Sequence, residues 1–153
     1  MVSSWRIVAE ARANAPWDGL GARRYGGRWN PVGLAAVYSA GSRALAALEI
    51  LAHLPRPTPP MVFCLFEVKI PEDAVVDVTD ARVLASVESP EIEQLTQNFG
   101  AAWLRAQTSV ALRVPSALVP EEPNYVLNPE HRDFAHLVFG DRKNFAFDRR
   151  LLR

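Results

Sequence analysis

The sequence predicts an α+β domain, because apolar runs of strand length outnumber helical segments, the two long helical segments do not alternate regularly with strands, and turn residues punctuate the C-terminal third. With 153 residues and 49% apolar content the chain suffices for one ordinary domain and is too short for two well-formed ones, so residues 1–153 are expected to form a single domain.

Residues 5–9 read as a first strand, and a Gly-, Ala- and Arg-rich loop then runs over residues 14–33. Residues 35–39 form a short second strand. Ser42 is the expected N-cap of a helix reaching about Leu54, where Pro55, Pro57, Pro59 and Pro60 stop it. The proline cluster connects tightly to a buried strand over residues 61–70, with another over 74–78. Ser89, Pro90 and Glu91 supply a cap, an N1 proline and an early acid for a second helix to Gln107, despite Gly100. Residues 110–114 return to strand. Beyond them, turn signals at 122–124 and 128–130 alternate with apolar pieces at 137–139 and 145–147.

The 17 basic residues balance the 17 acidic ones, and only Lys69 and Lys143 are lysines. Arginine favours local planar contacts to anions over a general field, so direct nucleic-acid binding is not expected. The lone Cys64 lies in an apolar run and fits a reduced core thiol. No stretch approaches the roughly 18 apolar residues of a membrane span and no apolar signal region follows Met1, so the expected location is the cytoplasm, without membrane attachment. No His/Glu spacing for a metal appears, and none is expected.

Residues 26–30 read Gly-Gly-Arg-Trp-Asn, with Pro31 and Gly33 following. Glycines let a ligand approach the backbone, and Arg28 offers two parallel charge-assisted hydrogen bonds of the kind that hold a phosphate. It is no Walker or Rossmann fingerprint, since neither Gly-Lys-Ser/Thr nor a strand–GxGxxG–helix unit is present. Tyr38 ends the second strand. At about 100° per residue, Ser42, Ala46, Glu49 and His53 share one stripe of an otherwise apolar helix. A carboxylate there needs a counter-charge or a polar cleft, and the residues alone leave both open.

The run from Gly21 to Pro31, Val37-Tyr38-Ser39 and the segment 47–54 resembles the RES domain, named for its arginine, glutamate and serine. Val114-Pro115-Ser116, the segment 124–129 and the ending 145–151 match its later motifs, so nearly the whole chain is covered. The resemblance implies an ADP-ribosyltransferase-like fold of two small packed β-sheets with flanking helices and a central NAD cleft. It also implies the toxin of a bacterial toxin–antitoxin pair, with NAD+ as substrate and a cognate helix-turn-helix antitoxin as partner. Arg28, Tyr38, Glu49 and Ser116 are the expected catalytic set, Ser116 serving a phosphate or orienting Glu49. NAD+ contacts are expected from Arg28, Tyr38, His53 and Asn128. Arg6 is a further phosphate or ribose candidate and Asn124 a further ligand candidate, whereas Trp29 reads as packing. The acceptor of ADP-ribose stays open between water, phosphate and a protein target. A pocket that binds a nucleotide without turnover is the competing class, and homodimer formation is left open.

Overall fold

The structure, a computed structural model, describes residues 1–89, 91 and 94–153. In chain order the first half comprises β1 (Val2–Ala9), α1 (Leu20–Tyr25), β2 (Val37–Ala40), α2 (Arg43–Leu51), β3 (Phe63–Ile70) and β4 (Val75–Asp77). The second comprises α3 (Ala81–Ser86), α4 (Gln94–Ala106), β5 (Ala111–Pro115), β6 (Pro123–Leu127), β7 (Val138–Phe139) and β8 (Lys143–Phe145).

Among the described residues, the strands form one curled sheet in the order β4-β5-β6-β2-β1-β3-β7, with β8 also on β3. Pairing is antiparallel except for β4 with β5, whose strands are joined through α3 and α4. β1 runs along β3 from Val2 opposite Ile70 to Ala9 opposite Phe63. Against β2 it shares only the register pair Trp5–Ala40 among the described residues. The two expected sheets are therefore two halves of one hydrogen-bonded sheet, parted at this seam. Ser4 and Ser39 lie beside it, their buried hydroxyls 2.7 Å apart, so each satisfies the other.

Each half has its own helical cover. Leu45 and Ala46 of α2 pack on Ile7, Phe63 and Leu65. On the other half, Val83 of α3 and Trp103 and Leu104 of α4 enclose Leu112, Val114 and Val126, together with Trp29 from the loop after α1. These are the alternating inward positions of β5 and β6 that a half-buried sheet requires.

The Ser42 cap is present, its side chain accepting from the Leu45 amide, but α2 ends at Leu51, short of the prolines. Three elements differ from the sequence reading. α1 lies in the expected loop, a short helix bounded by Gly19 and Gly26, both at positive φ. α3 is started by Asp80, whose carboxylate accepts from the Arg82 and Val83 amides. β6 occupies a stretch read as turns, because Pro123 opens it and Asn128 closes it within five residues. The expected N1 proline of the second long helix, Pro90, lies outside the described residues.

Candidate active site

A cleft of about 680 Å³ opens between the halves, within the range of small-molecule sites. Arg6, Arg28, Tyr38, Glu49, His53 and Asn124 are its polar walls.

The Gly-rich loop is held rigidly from below. The Tyr38 hydroxyl donates to Asn30 Oδ1 at 2.6 Å and accepts from the Trp29 amide at 3.0 Å. Asn30, fully buried, donates to the carbonyls of Ala22, Pro31 and Leu34. A Cβ on Gly27 would stand 2.7 Å from the Tyr38 oxygen, so only glycine fits there. Trp29 is 2% exposed and meets Phe99 edge-on, a packing residue as its sequence context suggests. From α4, Gln97 donates to the Gly27 carbonyl at 3.0 Å. Gly100 lies so close that a Cβ there would collide with the Trp29 carbonyl, which explains a glycine in mid-helix.

This frame leaves Arg28 half-exposed at the cleft, its Nη1 donating to the Glu91 carbonyl at 3.4 Å and paired with no carboxylate among the described residues. A guanidinium fork at a cleft wall is suited to an oxyanion. Burial pushes the Tyr38 hydroxyl far above the usual tyrosine range, against the pull of the Trp29 amide and the Arg28 charge. Tyr38 thus holds the loop through Asn30 and the Trp29 amide while its ring lines the cleft.

Arg6 reaches across the seam, donating from Nε to the Pro16 carbonyl at 2.8 Å and from Nη1 to the Tyr38 carbonyl at 2.9 Å. Burial, then the neighbouring Arg12 charge, lowers its pKa to about 10, partly offset by Asp18. It stays charged at neutral pH.

Glu49 faces the cleft from α2. Its Oε1 accepts from Ser116 Oγ at 2.7 Å and from Asn124 Nδ2 at 2.7 Å, the second requirement of a carboxylate on an apolar helix. Ser116 is fully buried and also accepts from the Leu118 and Val119 amides. Its hydroxyl thus donates to Glu49 while accepting two backbone amides, a geometry that fits the orienting role among the two expected of it. His53 stands exposed at the rim, with Nδ1 2.8 Å from the Glu49 carbonyl. Since a carbonyl only accepts, Nδ1 carries the proton there, leaving Nε2 open.

Asn128 does not belong to this group. It is 2% exposed, donates to the Leu104 carbonyl at 3.0 Å and accepts from the Glu130 amide at 3.0 Å. Its amide is thus used up at both ends, Nδ2 tying α4 to the end of β6 and Oδ1 closing the turn that follows, away from the cleft lining. Sequence reading gave no role to Asn30 or Gln97; an asparagine following Gly-Gly-Arg-Trp was the available signal for the first.

An α+β fold that divides at a seam and sets a half-exposed arginine and a hydrogen-bonded glutamate in the resulting cleft has the architecture of a small-molecule enzyme site. The RES domain model matches residues 3–148, and the chain belongs to the RES domain family. A protein of Sphingobium sp. (strain YBL2) described as a Prs ADP-ribosylating toxin is 35% identical over 156 residues, covering 99% of this chain and 97% of its own. Toxin Res of Yersinia enterocolitica is 37% identical over 148 residues, covering 96% and 97% respectively. In fold, the chain is similar to one in the crystal structure of the M. tuberculosis MbcT–MbcA toxin–antitoxin complex, with a TM-score of 0.76, 21% identity, and coverage of 94% of this chain and 83% of that one.

Proposed function

We propose that this chain is the toxin of a toxin–antitoxin pair and that it degrades NAD+ by cleaving the bond between nicotinamide and ribose, arresting growth in the cytoplasm. The observation that carries this reading is Glu49, held at one oxygen by Ser116 and Asn124, in the same cleft as Arg28, which has no carboxylate partner among the described residues. Breaking the nicotinamide–ribose bond sends its electron pair to the departing ring and leaves an oxocarbenium-like sugar, which a fixed carboxylate stabilises. Arg28 anchors the pyrophosphate, turning remote binding energy into alignment of the reacting carbon. An oxygen of water or inorganic phosphate then bonds to that carbon and releases its proton to solvent. His53 at the rim is the candidate to orient this acceptor. A cognate antitoxin with a carboxylate-bearing segment would silence the toxin by covering Arg28.

A second reading, transfer of ADP-ribose to a specific protein, is favoured by the name of the Sphingobium relative. Against it stands Ala47, two residues before Glu49, where arginine-modifying transferases often carry a second acid to activate the incoming side chain. The test is NAD+ turnover by the purified chain. Glu49→Gln should lower the rate about 30- to 1,000-fold while NAD+ binding remains measurable, and Arg28→Ala should weaken binding as well. Undiminished turnover by Glu49→Gln would remove the acid from the mechanism, and no turnover by the unaltered chain, either alone or with cell lysate added, would leave a nucleotide-binding module.

A further inference from the structure

Both hydrogen bonds to Glu49 end on the same oxygen. Oε1 takes Ser116 and Asn124, while Oε2 has no hydrogen-bond partner among the described residues. Of the two donors, Asn124 is the one that lines the cleft. Its backbone is fixed from both sides, standing in register with Ala40 of β2 and Val114 of β5.

The Asn124 amide is held in a costly orientation. Its Oδ1 is buried and has no hydrogen-bond partner among the described residues. Buried amide oxygens are rarely left so, and each case calls for a reason. Turning the amide over would set Oδ1 against the Glu49 carboxylate in place of Nδ2. The carboxylate therefore dictates the orientation, and the unpaired oxygen is the consequence of keeping a donor on Oε1.

We propose that Asn124 is a positioning residue for the reaction: its Nδ2 clamps Oε1, so that Oε2 is the oxygen presented to the substrate sugar. This rests on the reading of Glu49 as the charge-stabilising acid. Asn124 acts through the direction of that carboxylate, so its effect falls on the chemical step more than on substrate affinity.

The test compares unaltered protein, Asn124→Ala, Asn124→Asp and Glu49→Gln for NAD+ turnover between about pH 5 and 9, with rates taken per folded protein. Asn124→Ala should lower kcat about 10- to 100-fold with KM held within about threefold. Asn124→Asp keeps the size and carries the test by itself should the alanine variant not fold. Two carboxyl groups at hydrogen-bond distance share one proton, and the protonated aspartic acid donates to Oε1 as the amide does. Its activity should therefore approach that of the unaltered protein at the acid end and fall as pH rises and the shared proton is lost. The other titratable groups facing the cleft are Arg6 on β1, Arg28 on the loop, Tyr38 on β2 and His53 following α2. All four are common to both proteins, so the ratio of their rates isolates the new limb. Full turnover by Glu49→Gln would overturn the reading of Glu49 and this inference with it. An inactive Glu49→Gln beside an unchanged kcat for Asn124→Ala, or beside a flat pH ratio for Asn124→Asp, would overturn this inference alone.

Discussion

At the scale of single residues, the site is built by hydroxyls and amides that never need to meet the ligand. Tyr38 illustrates this, since its oxygen satisfies both the Trp29 amide and the Asn30 side chain. Tyr38→Phe leaves both unpaired, and the expected loss is about 1–3 kcal/mol of stability, read as a lower Tm, together with weaker NAD+ binding as the Arg28 loop loosens. An unchanged Tm would contradict the clamp. Arg28 and Glu49 were legible in the sequence because each is chemically out of place, a fork of donors between glycines and an acid on an apolar helix. Asn124 was weighed only as a ligand contact, since its partner Glu49 lies 75 positions away and no local pattern records that bond. Asn128 lies outside the cleft lining for the converse reason: an asparagine whose amide serves its own fold has the same local signature as one awaiting a ligand.

At the scale of elements, α4 is fitted to the loop by the absence of a side chain at Gly100. Gly100→Ala drives a methyl into the Trp29 carbonyl, backbone against side chain, and should cost at least about 3 kcal/mol, the top of the usual overpacking range. A variant as stable as the unaltered chain, by denaturant unfolding, would mean that α4 can shift freely. The parallel pair β4–β5 carries an exposed bidentate ion pair, with Arg113 Nε and Nη2 at 2.6 and 2.9 Å from the two Asp77 oxygens. That guanidinium holds the Asp77 carboxyl below its ordinary value. A lowered folded-state pKa gives stability above the unfolded value of about 3.9, lost as pH falls through the folded value. Asp77→Asn should therefore cost up to about 1 kcal/mol near neutrality, given its exposure, and almost nothing in acid below both values. Equal penalties at both pH values would contradict it. The longer elements were legible because period and capping agree over several turns, as for Ser42 and α2. α1, α3 and β6 were not, for each is six residues or fewer and takes its stability from packing against distant partners.

For the whole molecule, the fate of ADP-ribose separates the two proposed readings. Labelled NAD+ added to lysate with the chain should appear chiefly as free nicotinamide plus soluble ADP-ribose or its phosphorylated form; label concentrated on one protein band would favour the transferase. The overall α+β class was readable from composition and segment lengths, whereas the single register pair joining β1 to β2 was not, because strand periodicity carries no pairing information. That seam has a mechanical meaning. Glu49 belongs to the helix covering the β1–β3 side, while Ser116 and Asn124 belong to the β5–β6 side. The carboxylate is thus a stitch through an unfinished ladder, and a ligand reaching from Arg28 to Glu49 would act as a strut across the same gap. Glutamine keeps the stitch because its oxygen still accepts, whereas alanine cuts it. On the proposed reading, one oxygen of Glu49 ties the two halves together and so leaves the other for chemistry.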